Sequence, residues 1–400
     1  MSTAVAARSD LDVLFDADEP ADVVLPRRLV VGDGCLARVG ETLAESGSAS
    51  GSFLVIVDRA VAGLGAGEAA ATSIREVGAE PSLYTEIDRE PDLAAVERAV
   101  TAVRAAPYAA VVGVGGGSAL DTAKLAAALA TNSGSVARFV HGTHKFTAPP
   151  LPLALVPTTG GTGAEASKNA IVTDEDQKVV VSSPLLMPTV ALLDPVLTVS
   201  CPPAVTIASG LDALAHAVEA ALSSWATPFT TMHALSAIRL IVRWLPVAAA
   251  RGSDLPARRA MLYASHLAGL SLNASTLLGH TLAYGIARIT HLPHGVTTAM
   301  ALPYCVAYNA AAAPHQMRLI ADAAGADAAS LAGQLQELIV GLGVPASLGA
   351  VGIAERDLPA LVEHCVVRYP RPNNPRPFDR EGLLALAHSF HAGDVDGAQR

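Results

Sequence analysis

Short apolar, β-branched runs alternate with helical stretches along the first half of this chain, and this alternation constrains its fold more than any other feature. The predicted strands cover residues 28–31, 53–57, 109–114, 153–156 and 190–193. The predicted helices between them cover residues 36–46, 70–78, 92–106 and 119–131. Because strands that alternate with helices form βαβ units, the pattern predicts an α/β domain with a largely parallel sheet.

The second half of the chain has a different pattern, since no strand is predicted after Pro202 and Pro203. Stretches rich in Ala and Leu predict helices over residues 204–223, 230–249, 257–280, 296–310, 315–324, 330–342 and 380–389. We therefore predict a loose N-terminal tail over residues 1–24, an α/β domain over 25–200 and an all-α domain over 201–400. A cleft between two such domains is where a ligand site is expected.

Composition and charge disfavour several classes of function. The 400 residues carry 27 Lys and Arg against 37 Asp and Glu, a net charge of −10, with no basic block. An acidic surface repels phosphate backbones, which disfavours nucleic acid as a partner. The apolar runs are interrupted before about 18 residues, and no cationic, apolar leader opens the chain. The four cysteines form no C-x-x-C pair, which is typical of buried thiols in a reducing cytosol. Together, these features predict a cytoplasmic protein with no membrane partner.

A glycine-rich loop follows the predicted strand 109–114 and opens the next predicted helix. Its residues are Gly115, Gly116, Gly117 and Ser118. Without Cβ atoms, the backbone N–H groups of the loop can approach an anion, and the helix N-terminus adds partial positive charge. The loop therefore predicts a pyrophosphate site, with a tight strand-to-helix turn as the alternative. Ser118 and Asp121 also fit an S-x-x-D capping box, which predicts where the helix starts.

Two further strand ends favour a nucleotide over a simple turn. Asp58 directly follows the predicted strand 53–57, where a carboxylate can accept hydrogen bonds from the hydroxyls of an adenosine ribose. Taken alone, Asp58 is more simply a turn residue, and the glycine loop shifts the interpretation toward binding. A second loop, residues 157–165, follows the strand 153–156 and is rich in Thr and Gly. Its hydroxyls and amides are suited to ribose, phosphate or carboxamide groups.

One carboxylate and three histidines are distinguished by their spacing. Asp212 and His216 are four residues apart, so they share one face of a helix that is otherwise apolar. His280 and His294 follow, and Pro293 prevents these two from lying on one continuous helix. Such an N3O set suits Fe(II), Zn(II), Co(II) or Mn(II), whereas an internal Asp–His hydrogen bond is the alternative for the first pair.

Several motifs in one order resemble the iron-containing (group III) alcohol dehydrogenase family. They are GGGSALDTAK, PTTGGTGAEASKNAIVTD, LLDPVLT, GLDALAHAVEA and LPHGV, and the similarity runs from about Leu25 to Pro377. The resemblance implies an α/β dinucleotide-binding domain, an all-α metal-binding domain and a cleft between them, the fold shared with dehydroquinate synthase. By position it implies a metal bound by Asp212, His216, His280 and His294. It also implies cofactor contacts from Asp58, Gly115, Gly116, Gly117, Ser118, Thr158, Thr159, Ser167, Lys178 and Leu197.

This chain departs from the family pattern at three positions. Tyr284 stands where the family usually has a histidine near the nicotinamide, and a phenol can relay a proton but is neutral at pH 7. Glu90 stands where an Asn commonly contacts the cofactor. Arg288 stands where the family usually has a small residue near the pocket, and its fixed charge suits a carboxylate or phosphonate tail, with a side chain that points to solvent as the alternative. Asp212 argues against the maleylacetate reductases, which usually have Asn there.

The resemblance therefore implies an NAD(H)-linked, metal-dependent oxidoreductase that interconverts a small alcohol and its aldehyde or ketone in the interdomain cleft. Fe(II) is the expected metal and Zn(II) the alternative, with Tyr284 and the metal ligands as the catalytic residues. A homodimer is the expected assembly. The alternatives are a reductase of an anionic aldehyde or oxo acid, such as phosphonoacetaldehyde or maleylacetate, and more distantly a lyase like dehydroquinate synthase.

Overall fold

A computed structural model describes residues 20–48, 50–87, 91–175 and 177–399. Most of the predicted N-terminal tail, and Glu90, lie outside these residues. The described chain falls into two compact units. The first consists of Val24–Ala213 with Arg243–Leu270, and the second contains Leu214–Val242 and the described chain from Ser271 onward. The units are therefore discontinuous in sequence, whereas the domain boundary predicted near residue 200 is a single break.

The described residues of the first unit form eight strands. They are β1 (Arg28–Val31), β2 (Ser52–Asp58), β3 (Glu80–Ile87), β4 (Tyr108–Gly115), β5 (Leu153–Pro157), β6 (Asn169–Asp174), β7 (Gln177–Ser182) and β8 (Val190–Leu193). Six form a parallel sheet in the order β1-β8-β5-β4-β2-β3, and β6 and β7 form an antiparallel hairpin. This architecture confirms the predicted α/β class and all five predicted strands. β3, β6 and β7 were not predicted, because polar, partly exposed side chains interrupt their apolar pattern.

Helices cover both faces of the parallel sheet. They are α1 (Val39–Glu45), α2 (Arg59–Ala62), α3 (Ala66–Glu76), α4 (Leu93–Arg104), α5 (Gly117–Thr131) and α6 (Val136–Val140). Successive side chains of a strand point to opposite faces, so β2 contributes to two cores. Val55 packs in one core with Ile74 of α3, and Ile56 packs in the other with Ala123 of α5. The result is a three-layer α/β arrangement.

Beyond Pro203 the described residues form helices and no strand, as the sequence predicts. The helices are α7 (Pro203–Leu222), α8 (Pro228–Ala250), α9 (Leu255–Ser271), α10 (Leu278–Thr290), α11 (His294–Asn309), α12 (Pro314–Ala324), α13 (Leu331–Gly341), α14 (Leu358–Arg368) and α15 (Arg380–Ala392). The helix predicted over residues 257–280 is wrong in extent. It ends at Ser271, and the chain reaches α10 through a 3-10 turn and Ser275, whose φ is 66°.

Two of these helices, α7 and α8, are long and apolar enough to cross a membrane by length and composition alone. The core helix of a globular protein meets the same criterion. In α7 the most apolar window is 78% buried inside the protein, and in α8 33%.

The capping box predicted for Ser118 and Asp121 is wrong. Gly116 is the N-cap of α5 and no side chain caps the helix, so Ser118 already lies within its first turn. Asp121 is instead buried, and its Oδ2 accepts a hydrogen bond from the backbone N–H of Ile171 at 3.0 Å. A tertiary contact with β6 has taken the place of the local one.

Lys124 is the buried cation that accompanies Asp121. Its side chain is fully buried, and its Nζ lies 3.7 Å from Asp121 Oδ1. Nζ donates hydrogen bonds to the carbonyl oxygens of Ser167 at 2.8 Å and Asn169 at 2.6 Å. Burial lowers the pKa of Lys124 and raises the pKa of Asp121 to about 6, and the opposite charge of each partner limits both shifts. The pair therefore ties α5 to the segment that leads into β6.

We expect Lys124→Met to lower the free energy of unfolding by about 3–5 kcal/mol, because it leaves the Asp121 carboxylate buried without its cation. Denaturant unfolding followed by circular dichroism measures the change. Lys145→Met, at an exposed position, is the matched control and is expected to have little effect. The double variant Lys124→Met/Asp121→Asn should recover much of the loss. A loss below about 1 kcal/mol for Lys124→Met would contradict the role of the pair.

Candidate functional site

Three of the predicted metal-ligating residues converge in the structure. Asp212, His280 and His294 each offer one ligand atom, and these atoms all lie within 4.8 Å of one another. Asp212 and His280 are buried and His294 is half-buried. Asp212 lies on α7, which is one continuous helix. The division between the two units falls within this helix, after Ala213.

Local backbone geometry brings the two histidines together from different helices. His280 lies in the first turn of α10, and His294 is the first residue of α11. Between them His291 adopts a left-handed conformation, with φ at 56°, and caps the C-terminus of α10. Pro293 is the N-cap of α11. The prediction that His280 and His294 do not share one continuous helix is confirmed.

His216 is not among the three converging residues. It lies one turn after Asp212 on α7, as its spacing predicts. Its ring stacks on the ring of His280, with centroids 4.8 Å apart and planes 18° apart. Its assignment as the fourth ligand therefore stays a prediction.

Glu219 is a buried residue of this site that the sequence analysis did not assign. Its Oε1 lies 2.7 Å from His280 Nδ1, and its Oε2 accepts a hydrogen bond from the backbone N–H of Leu277. Burial opposes ionisation of Glu219, but the His280 ring and these hydrogen bonds outweigh burial and lower the pKa of its carboxyl. The spacing of Asp212, His216 and Glu219 at i, i+4 and i+7 places all three on one helix face. That spacing was the available signal.

Aromatic rings extend from the metal-ligating group. Tyr284, one turn after His280, is buried and stacks on the ring of His294 with centroids 5.2 Å apart and planes 8° apart. The ring of Tyr369 packs against Tyr284 at 4.7 Å. The phenol that replaces the family's usual histidine is thus in contact with a candidate metal ligand.

Positive charge lies near this aromatic group. His364 of α14 packs edge-on against Tyr369, with centroids 5.7 Å apart. Burial, and then the charges of Arg288 and Arg368, lower the pKa of His364. Both arginines are exposed, and Arg288 lies in the last turn of α10. Arg288, which departs from the family pattern, is therefore an exposed cation whose charge reaches His364.

In the first unit, Asp58 and the glycine loop lie at the carboxyl ends of β2 and β4. The chain leaves β2 toward β3 on one side, and leaves β4 through α5 toward β5 on the other, so these two strands form a topological switch point. Asp58 ends β2 and Gly115 ends β4. A Cβ at Gly115, whose φ is +153°, would lie 2.8 Å from the Asp58 Cβ. The glycine thus permits close contact between the predicted ribose and pyrophosphate residues.

The remaining predicted cofactor residues lie on several elements of the same unit. Gly116 and Gly117 start α5, and a Cβ at Gly117 would meet the Thr162 side chain at 2.7 Å. Thr158 follows β5 and its backbone N–H donates to the Gly115 carbonyl at 2.9 Å, so the two loops are in contact. Thr159, Ser167, Lys178 and Leu197 lie, in order, after β5, before β6, on β7 and on a 3-10 turn after β8.

The converging donor set fits a divalent metal ion. A carboxylate oxygen and imidazole nitrogens are ligands that Zn(II) and Fe(II) both accept. Asp212 and His280 are buried, and burying ionisable groups is costly without hydrogen bonds or a cation. The arrangement can thus hold one ion and leave a coordination position for a substrate oxygen.

Comparisons with known proteins match both halves of the chain. The family described as "Iron-containing alcohol dehydrogenase" matches residues 26–195. The family described as "Fe-containing alcohol dehydrogenase family, C-terminal" matches residues 206–390. The long-chain-alcohol dehydrogenase 1 of Geobacillus thermodenitrificans is 37% identical over 94% of this chain and 98% of its own length.

Two other similar proteins depend on NAD or bind it. The NAD-dependent methanol dehydrogenase of Bacillus methanolicus is 32% identical over 88% of this chain and 95% of its own length. The crystal structure of the sulfoacetaldehyde reductase of Bifidobacterium kashiwanohense in complex with NAD+ is similar, with a TM-score of 0.86 and 26% identity. The similarity covers 93% of this chain and 99% of that chain.

We expect Asp212→Ala and His280→Ala each to lose bound metal, because each removes one of the converging ligand atoms. NADH binding should persist in both, since the predicted cofactor residues lie on other elements. Elemental analysis after gel filtration and NADH fluorescence titration measure the two properties. His233→Ala is the control, because the Nδ1 of His233 pairs with the carbonyl of Phe229 at 2.7 Å on α8. Stoichiometric metal in either of the first two variants would refute the site.

Proposed function

The chain belongs to the iron-containing alcohol dehydrogenase family, and from this premise we propose that it interconverts a small alcohol and its aldehyde or ketone with NAD(H). The observation that carries the proposal is the convergence of Asp212, His280 and His294 in a chain with this family match. When bound, a divalent metal ion acts as a Lewis acid on the substrate oxygen, and nicotinamide carries the hydride. Fe(II) is the metal we propose, with Zn(II) as the alternative.

The residues of the chain have distinct roles in this proposal. The amides of the glycine loop bind the cofactor pyrophosphate at the N-terminus of α5. Asp58 accepts hydrogen bonds from the adenosine ribose. The Tyr284 phenol, stacked on His294, holds or passes a proton on the substrate side. Two observations support NAD(H). Asp58 lies at the topological switch point of the sheet, and one similar protein is NAD-dependent while another has a crystal structure in complex with NAD+.

The test is absorbance at the NADH band with a panel of short aliphatic, aromatic and anionic aldehydes and the matching alcohols. Metal-loaded enzyme should consume NADH with at least one aldehyde class and form it with the corresponding alcohol. Absence of turnover with every class, in protein that binds both metal and NADH, would refute the proposed activity. We further propose that the protein is cytoplasmic and that it is a homodimer. Size measurement of the purified protein tests the homodimer.

We predict a preference for NAD(H) over NADP(H), because a 2′-phosphate would bring negative charge against Asp58. Asp58→Ser should lower the ratio of kcat/KM for NADH to kcat/KM for NADPH by about 10- to 100-fold, because a charge-assisted hydrogen bond to the ribose contributes roughly 1.5–3 kcal/mol. Serine keeps the cap of α2, where Asp58 Oδ1 accepts from the Ala60 N–H at 2.9 Å. Asp92→Ser, at the N-cap of α4, is the matched control. A wild-type preference for NADPH would refute the role of Asp58.

A second candidate is reduction of an anionic aldehyde. The observation that favours it is the pair of arginines, Arg288 and Arg368, whose charges act on His364 beside the Tyr369 ring. A guanidinium binds carboxylate, sulfonate and phosphonate groups through parallel hydrogen bonds. One of the similar structures is that of a sulfoacetaldehyde reductase, and sulfoacetaldehyde is an anionic aldehyde.

If the arginines bind the substrate, Arg288→Ala should raise KM for anionic aldehydes several-fold more than for neutral aldehydes of equal length. Steady-state kinetics with matched pairs of aldehydes measures the difference. Arg239→Ala, at an exposed position of α8, is the control for a general loss of positive charge. Equal effects of Arg288→Ala on both substrate classes would remove the case for an anionic substrate.

A further inference from the structure

Glu219 directs its whole carboxylate at the start of α10. Its side chain is fully buried, and Oε1 lies 2.7 Å from His280 Nδ1. Oε2 accepts hydrogen bonds from the backbone N–H of Leu277 and, at 3.4 Å, from that of His280. Because backbone N–H groups only donate, Oε2 is an acceptor in both of these contacts. The carboxylate therefore links α7 to the helix that carries a candidate metal ligand.

The contact with His280 determines which ring nitrogen carries the proton. A carboxylate offers acceptors only, so His280 Nδ1 is the donor in this hydrogen bond. In a neutral imidazole with its proton on Nδ1, the lone pair is on Nε2. Metal ligation by histidine requires that lone pair.

We propose that Glu219 is a positioning residue, which fixes the tautomer and orientation of His280 and presents Nε2 to the metal site formed with Asp212 and His294. The inference rests on the metal site of the proposed function. A carboxylate that accepts from the second nitrogen of a ligating histidine holds the ring in place and increases its basicity.

Gly279 makes the approach of the carboxylate possible. A Cβ at this position would lie 2.5 Å from Glu219 Oε1 and 3.1 Å from its Cδ. The first distance is shorter than a methyl group tolerates and the second is tight, so alanine at position 279 must displace the carboxylate. Gly279 thus provides a second way to disturb the contact while Glu219 itself is kept.

A second buried Glu–His pair in the first unit supplies a matched control. His266 Nδ1 lies 3.0 Å from Glu165 Oε1, and both side chains are almost fully buried. Neither residue is among the three that converge at the candidate metal site. Glu165→Gln therefore reproduces the cost of changing a buried Glu–His pair without changing a contact to a candidate ligand.

Glu219→Gln is the informative substitution. The carboxamide has the same size and shape as the carboxylate, but an NH2 donor replaces one of the two acceptor oxygens. If its oxygen faces Leu277, its NH2 group faces His280 Nδ1 and favours the tautomer with the proton on Nε2. If the amide is reversed, its NH2 group meets the backbone N–H of Leu277. Each orientation therefore disturbs one of the two hydrogen bonds that the carboxylate accepts, from His280 Nδ1 or from the Leu277 N–H.

The experiment measures Co(II) affinity by chelator competition in the full-length wild type and in Glu219→Gln, Gly279→Ala and Glu165→Gln. We expect affinity to fall about 10- to 100-fold in the first two variants and to change less than about twofold in Glu165→Gln. Nitrogen-15 NMR of histidine-labelled, metal-free protein should show the His280 ring with its proton on Nδ1 in the wild type. This signal, assigned by its loss in His280→Ala, should change in Glu219→Gln. Circular dichroism verifies that each variant is folded.

Unchanged Co(II) affinity in Glu219→Gln and Gly279→Ala would overturn the inference, as would a wild-type His280 ring that carries its proton on Nε2. If Glu219→Gln does not fold, the Gly279→Ala affinity and the wild-type tautomer decide the question. A wild type that binds no Co(II) would overturn the metal site of the proposed function. In that case the NMR signal still decides whether Glu219 sets the tautomer of His280.

Discussion

The interaction on which this structure most depends is the burial of ionisable side chains among apolar helices. Asp212 and His280 are taken out of water, and Glu219 is buried completely beside His280. Burial of such groups is costly, so the fold must supply hydrogen bonds or a cation for them. Glu219 accepts hydrogen bonds from the start of α10. A divalent ion would neutralise the negative charge of Asp212 in the group that it forms with His280 and His294. The break between α10 and α11, with its left-handed residue and proline, is the local geometry that lets the donors converge.

The cofactor side depends on a different constraint, the shared direction of parallel strands. Since the carboxyl ends of β2 and β4 lie at one edge, Asp58 and the glycine loop become neighbours although they are far apart in sequence. The buried Lys124 then holds the helix that follows the loop to the carbonyl groups of Ser167 and Asn169. Burial of a cation in this position ties the geometry of the loop to the core of the first unit.

The sequence predicts the features that depend on a local pattern of residues, and it does not predict those that depend on contacts between distant segments. Buried parallel strands such as β4 are continuous apolar runs and could be predicted, whereas the exposed strand β3 has no such signal. The Asp212 to His216 spacing predicted a shared helix face, and the same periodicity extends to Glu219. The contacts of Asp121 with β6 and of His364 with two arginines join distant segments, so no local pattern could predict them. The same limit explains the failed capping box, since Asp121 binds a long-range partner and not the N-terminus of its own helix.

A metal ion bound by the converging carboxylate and imidazoles is central to the proposed oxidoreductase activity. The direct measurement is NADH-dependent aldehyde reduction by protein that is stripped of metal with a chelator and then titrated with Fe(II) or Zn(II). We predict loss of activity on stripping, and its recovery with a break at one metal ion per chain. Full activity in the stripped protein, with metal absent by elemental analysis, would contradict this role of the metal.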